Sequence, residues 1–123
     1  MIIGIGTDLI EVARLEKSVN KPAFLKKVFT DKELELCEKK QSRLQSLAAR
    51  FAAKEACMKA LGTGWAKGVC FYEIEILNDE KGTPRINLLG KTRDLAEKLG
   101  VQNISISLSH IKNIATATVI LEK

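Results

Sequence analysis

The sequence is poor in the residues that staple small proteins together. Its three cysteines, Cys37, Cys57 and Cys70, are an odd number with no C-x-x-C spacing, which argues against a disulfide framework or a zinc site and predicts reduced thiols. The single histidine, His110, offers no zinc set and leaves a structural role open. Aromatic residues make up only 5% of the chain, and no strand-like stretch interleaves them with basic residues. A base-stacking nucleic-acid module is therefore disfavoured despite a pI near 9.2. Long apolar runs are missing as well. The opening Met1-Ile2-Ile3 is broken by Gly4 and Gly6 and then meets Asp8, too short for a signal-peptide core or a spanning helix. The expectation is a cytoplasmic protein with no membrane segment and no nucleic-acid partner.

What is present suits a folded protein. With 123 residues, 46% hydrophobic and 28% charged, the chain is expected to form a single domain, residues 1–123, with a core that needs no staples. No segment is low in complexity or repeats at a fixed period. The net charge of +5 is uneven: Val12 to Phe29 holds Arg14, Lys17, Lys21, Lys26 and Lys27 against Glu16 alone. Such a window is either a solvated face or a field that steers an acidic partner.

Along the chain, residues 2–6 read as a short buried strand and Asp8-Leu9-Ile10-Glu11 as a helix start with D-x-x-E spacing. Pro22 suits the first turn of a short helix through about Val28, and Thr30-Asp31-Lys32-Glu33 is a capping box that starts another. Ser42-Arg43-Leu44-Gln45 repeats that spacing ahead of the longest helix, which Gly62 stops. Tyr72 to Ile76 alternates as a half-buried strand does, Asn78 to Gly82 reads as a turn, and Arg85 to Leu89 pairs back behind Pro84. Lys91 to Leu99 is helical up to Gly100, and two alternating strands, Ile104–Ser109 and Ala115–Ile120, close the chain. The class is α+β, with N-terminal helices, one of them long and central, packed on a largely antiparallel sheet.

On the long helix, Leu44, Leu47, Ala48, Phe51 and Met58 form an apolar stripe that contains Glu55, with Lys59 one turn later on its edge. A core-facing carboxylate needs a cation or a metal. Either Glu55 and Lys59 form an ordinary i, i+4 ion pair, or this face borders a cleft where Glu55 binds a cation and Lys59 an anion. Asp8 is likewise either a helix N-cap or a ligand, set just after a Gly-x-Gly strand end where backbone can approach a ligand closely. Gly4 and Gly6 lack a third glycine at position 9 and make no dinucleotide fingerprint. Asp8 and Glu55 together would supply the two carboxylates that magnesium takes alongside phosphate oxygens and water.

Several segments in order resemble the holo-acyl-carrier-protein synthases, a small trimeric branch of the 4'-phosphopantetheinyl transferases. They are Gly4-Ile5-Gly6-Thr7-Asp8-Leu9-Ile10-Glu11 with Arg14; Phe29-Thr30-Asp31-Lys32-Glu33-Leu34; Arg50-Phe51-Ala52-Ala53-Lys54-Glu55-Ala56 with Lys59-Ala60 and Gly62-Thr63-Gly64; and Asn78-Asp79, Gly82, Pro84 and Ser107-Leu108-Ser109-His110. The chain departs from the pattern at Thr83, where lysine is frequent, and at Phe71, where tryptophan is.

The resemblance implies transfer of 4'-phosphopantetheine from coenzyme A to a serine of an acyl carrier protein, in support of fatty acid biosynthesis. It implies magnesium on Asp8 and Glu55, with Lys59 on the phosphates. Arg50, Gly82, Pro84 and His110 fall around the nucleotide, in a cleft between subunits of a homotrimer. Glu55, directly or through a metal-bound water, is then expected to take the serine proton, making Asp8, Glu55 and Lys59 the catalytic set. Acyl carrier proteins are acidic, so Arg14, Lys17 and Lys21, with Phe24 as apolar anchor, form the expected carrier-docking surface.

Overall fold

The computed structural model describes residues 1–62 and 69–123; Thr63 and Gly64 of the glycine motif lie outside them. The elements run β1 (Ile2–Glu11), α1 (Val12–Val19), α2 (Pro22–Val28), α3 (Asp31–Glu38), α4 (Arg43–Leu61), a 3-10 turn (Phe71–Glu73), β2 (Ile74–Asn78), β3 (Pro84–Leu88), α5 (Gly90–Leu99), β4 (Asn103–His110) and β5 (Ile114–Glu122). Two antiparallel sheets result, one of order β1-β5-β4 and a β2-β3 hairpin. The α+β class holds, with α4 lying across the three-stranded sheet.

Most boundaries follow local chemistry. Pro22 sits in the first turn of α2, where its missing N–H costs nothing. Thr30 and Glu33 form the full capping box of α3. Gly62 and Gly100 end α4 and α5 in left-handed conformation, at φ 76° and 84°, which glycine adopts without strain. The Ser42 side chain makes no cap bond to α4.

Three expectations need correction. First, no helix starts at Asp8. The strand continues to Glu11 and α1 begins at Val12 without a side-chain cap, because β5 offers a ladder that pairs residue by residue down to Glu11–Ile114. A ladder along one whole edge of the strand outweighs one local capping signal. Second, β1 is not buried on both faces, since Ile5 is 64% and Leu9 68% exposed in this chain. Third, Tyr72 and Glu73 belong to the 3-10 turn rather than the strand, and β2 does not alternate: Ile74, Glu75 and Ile76 are all buried. Glu75 tolerates this by accepting bonds from Thr30 Oγ1 at 2.6 Å and Asn87 Nδ2 at 3.1 Å.

Helix α4 also differs from a one-faced helix. Ala48, Ala49, Ala52, Ala53, Ala56 and Cys57 are buried around its circumference, whereas Leu44, Phe51 and Glu55 are only half-buried. Small side chains let neighbours close in from several directions. Lys54 is wholly buried among them, and its Nζ donates to Glu33 Oε1 at 2.7 Å, Phe71 O at 3.0 Å and Ile74 O at 2.6 Å. All three ammonium protons are thereby satisfied. Burial holds this lysine below its usual range, opposed by the charge and hydrogen bond of Glu33. Burial likewise pushes the neighbouring Cys57 thiol up to about 12, so it is inert as a nucleophile. The three cysteines are free.

Replacing Lys54 by methionine leaves the Glu33 carboxylate buried without its cation. The expected cost is about 3–5 kcal/mol, to be read from urea denaturation of the native and K54M proteins; a loss under about 1 kcal/mol, the scale of an exposed pair, would refute this account of the pair.

Candidate active site

The inner face of β1 carries Gly4, Gly6, Asp8 and Ile10 toward α4, in register with Leu121, Val119, Ala117 and Ala115 of β5. Asp8 is thereby brought to the side of α4 that carries Glu55 and Lys59. Lys59 Nζ donates to Asp8 Oδ1 and to the Thr7 carbonyl, both at 3.0 Å. The i, i+4 pair between Glu55 and Lys59 does not form among the described residues; the lysine turns to the strand instead.

Glu55 meets Asp8. Its carboxyl is held above the ordinary glutamate range, chiefly by burial and then by the Asp8 charge and a hydrogen bond with Asp8, while Lys59 pulls the other way. Two carboxylates in contact cannot both ionise cheaply unless a further cation joins them. Hard oxygen donors of this number suit a magnesium-type ion that completes its shell with ligand oxygens and water. No group of three or more possible metal-binding side chains occurs among the described residues. The donor set at hand is the two carboxylates.

The pair opens on a cavity of about 350 Å³ whose wall includes Leu9, Leu15, Phe24 and Phe51, with Arg14 also lining it. Phe24, Phe51 and Phe71 form a continuous aromatic run, with centroids 6.1 and 5.0 Å apart. Phe71, where tryptophan is frequent in the resembling family, is buried and stacks on Phe51 of this wall. Arg14, Lys17 and Lys21 are exposed on the adjoining α1 and its turn. Arg14 reaches Glu11 at 3.6 Å, an exposed pair that holds it only weakly.

A second cavity, about 430 Å³, gathers Arg50, Gly82, Pro84 and His110. Four of the five residues expected around the coenzyme therefore share one pocket, and Lys59 is not among its lining. Arg50 is 3% exposed; it donates from Nη1 to Ser46 Oγ at 2.8 Å and from Nη2 to Asn78 Oδ1 at 3.2 Å, leaving Nε without a partner. A buried guanidinium with an unused donor is prepared for an anion. Gly82, at φ 84°, ends a turn in which Asp79 accepts from the Lys81 and Thr83 amides at 2.9 and 3.0 Å. Thr83 lines the pocket with no charge of its own.

A model of the 4'-phosphopantetheinyl transferase superfamily matches residues 4–119. The chain belongs to that superfamily. Within it, the holo-[acyl-carrier-protein] synthase of Geotalea daltonii is 46% identical over the full length of both chains. The crystal structure of the Neisseria meningitidis synthase superposes with a TM-score of 0.91 at 34% identity, covering 100% of each chain. That of Helicobacter pylori, in complex with coenzyme A, gives 0.85 at 35% identity over 96% of this chain and 99% of that one. These transferases share the α+β arrangement found here.

Sequence reasoning missed Ser46 and Asn78 as partners of Arg50, and Lys54 as an internal clamp. Ser46 lies four residues before Arg50 on α4, a spacing that already put the two side chains on one face. The dense run of alanines around Lys54 was the available sign that this helix is enclosed on most sides.

Removing the Asp8 charge should release Glu55. In Asp8→Asn the Glu55 midpoint is expected to fall toward the ordinary glutamate range, measured by carbon-detected NMR titration without divalent ions; an unchanged midpoint would mean that the two groups are not coupled.

Proposed function

We propose that this chain, as one transferase domain, moves the 4'-phosphopantetheine arm of coenzyme A to a serine of an apo-acyl carrier protein, in support of fatty acid biosynthesis, and releases 3',5'-ADP. The observation that carries the reading is the contact of Asp8 with Glu55 beside Lys59, in a chain whose relatives bear the synthase name over their whole length. Asp8 and Glu55 would hold a magnesium ion, which supplies positive charge against the pyrophosphate.

The chain's own groups divide the remaining work. Lys59, with two donors fixed on Thr7 and Asp8, keeps its third for a phosphate oxygen. As the serine oxygen bonds to the β-phosphorus and the bond to the 3',5'-ADP oxygen breaks, Glu55 accepts the serine proton. Arg50, Gly82, Pro84 and His110 would hold the nucleotide end, the Arg50 guanidinium supplying positive charge for its phosphate.

Geometry favours a coenzyme shared between copies. Arg50 and Lys59 stand nine residues apart on α4, about 13.5 Å along the axis and on opposite sides of it. A single copy presents the nucleotide pocket and the carboxylate pair on different flanks. A homotrimer that sets one flank beside the neighbour's other flank brings them to one cleft, and the exposed Ile5 and Leu9 of β1 supply apolar surface for such an interface. The acidic carrier protein would dock on Arg14, Lys17 and Lys21, with Phe24 and Phe51 flooring the cavity beneath an apolar anchor.

Intact mass spectrometry of apo-acyl carrier protein with coenzyme A tests the reaction. A gain of one phosphopantetheine with magnesium, lost with a chelator and reduced at least 10²-fold in Glu55→Gln, is expected; modification that survives chelation or that E55Q retains at native rate would sink the assignment. Arg14→Glu should raise KM for the carrier, and lose salt sensitivity, while KM for coenzyme A stays near native. Equal losses for both substrates would count against this surface.

A further inference from the structure

The Gly-x-Gly segment of β1 was expected to let backbone approach a ligand. What approaches is α4. A Cβ built on Gly6 would overlap the Ala56 carbonyl oxygen and lie 2.9 Å from Ala60 N, and one built on Gly4 would overlap the Ala60 carbonyl oxygen. Neither glycine has a positive φ, so space rather than backbone conformation calls for glycine at both positions. The atoms in the way are backbone of α4, which no side-chain rearrangement can move aside.

The two contacts are not equivalent for the site. Gly6 bears on Ala56, the residue next to Glu55, and is two residues from Asp8 on the same face of the strand. Gly4 bears on Ala60 and lies a further two residues away. On the other side of β1, Thr116 Oγ1 donates to the Asp8 carbonyl at 3.0 Å. This bond is additional to the β1–β5 ladder, in which Asp8 pairs with Ala117 and Leu9 with Thr116.

We propose that Gly6 and Thr116 are positioning residues for the Asp8–Glu55–Lys59 group: Gly6 sets how closely the strand bearing Asp8 lies on the helix turn bearing Glu55, and Thr116 holds the Asp8 peptide in place. The inference rests on the reading that Asp8 and Glu55 hold a divalent cation. An added methyl at position 6 must lift β1 from α4 next to the carboxylates, and the cation site loses its second donor. The same methyl at position 4 lifts the strand at Ala60, a turn beyond Glu55 and four residues from Asp8, away from the two carboxylates.

Manganese titration followed by electron paramagnetic resonance, with coenzyme A present, tests this on the intact protein, thermal melts recording the fold. Gly6→Ala is expected to bind manganese at least about tenfold more weakly, whereas Gly4→Ala, though destabilised, stays within about threefold of native. Thr116→Val should weaken binding by a smaller but measurable factor with its melting temperature near native, and Thr116→Ser should restore it. Equal weakening in both glycine variants, or none in either, overturns the role of Gly6. Should Gly6→Ala fail to fold, native affinity in Thr116→Val overturns the proposal. Native protein that binds no manganese would overturn the cation reading and this inference together; native binding undiminished in Gly6→Ala removes only the inference.

Discussion

A lysine ammonium and a glutamate carboxylate, both wholly out of water, tie together the elements that flank the site. Lys54 of α4 bonds Glu33 of α3 and the carbonyls of Phe71 and Ile74. Glu33 in turn accepts from the Thr30 amide at the start of its own helix and from Ile76 N in β2. Thr30 continues the chain of bonds to Glu75, and Glu75 to Asn87. A buried ion pair is poor evidence for stability by itself, because dehydration offsets much of the attraction. Its consequence here is geometric: with every donor assigned, α4 has one rotation relative to α3 and the hairpin. Glu55 is the next residue along.

That single rotation matters because α4 serves on two flanks. Toward β1 it offers Glu55 and Lys59; toward the hairpin and β4 it offers Arg50. A twist of one residue, 100°, would carry each away from its partners. The small residues on the helix and the glycines on β1 make the same point from the other side, since helix and strand are in backbone contact at Ala56 and Ala60. Close packing of backbone on backbone has little slack, and the Asp8–Glu55 separation inherits that precision.

Much of this order was readable in the sequence. Alternation in β4 and β5, the Thr30–Glu33 capping box and the glycine stops are local signals, and each survived in the structure. The failures have a common cause. Asp8 to Glu11 looked like a helix start because the capping pattern is local, whereas the competing partner, β5, lies more than a hundred residues away. Glu75 looked solvent-facing because its neighbours alternate, whereas Thr30 and Asn87 made it cheap to bury. Lys54 looked like any helical lysine, its partner Glu33 being assigned only to a cap. Of the site, Asp8, Glu55 and Lys59 could be singled out as residues in costly places. Their meeting could not be derived from spacing, since it depends on which strand packs on α4.

The error at Asp8 also sharpened the functional argument. An aspartate at a helix N-cap is explained by the cap, and nothing more need be asked of it. An aspartate inside a strand, 12% exposed at its side chain and in contact with a second carboxylate, has no such structural reason. Beside Lys59, the two groups form a carboxylate pair that favours a further cation. The buried Arg50 with its unused Nε is the complementary case, a cation lacking part of its anion. Positive charge is wanted at one flank of α4 and negative charge at the other. A magnesium-bound, phosphate-bearing coenzyme lying across two neighbouring copies, as proposed above, would carry both.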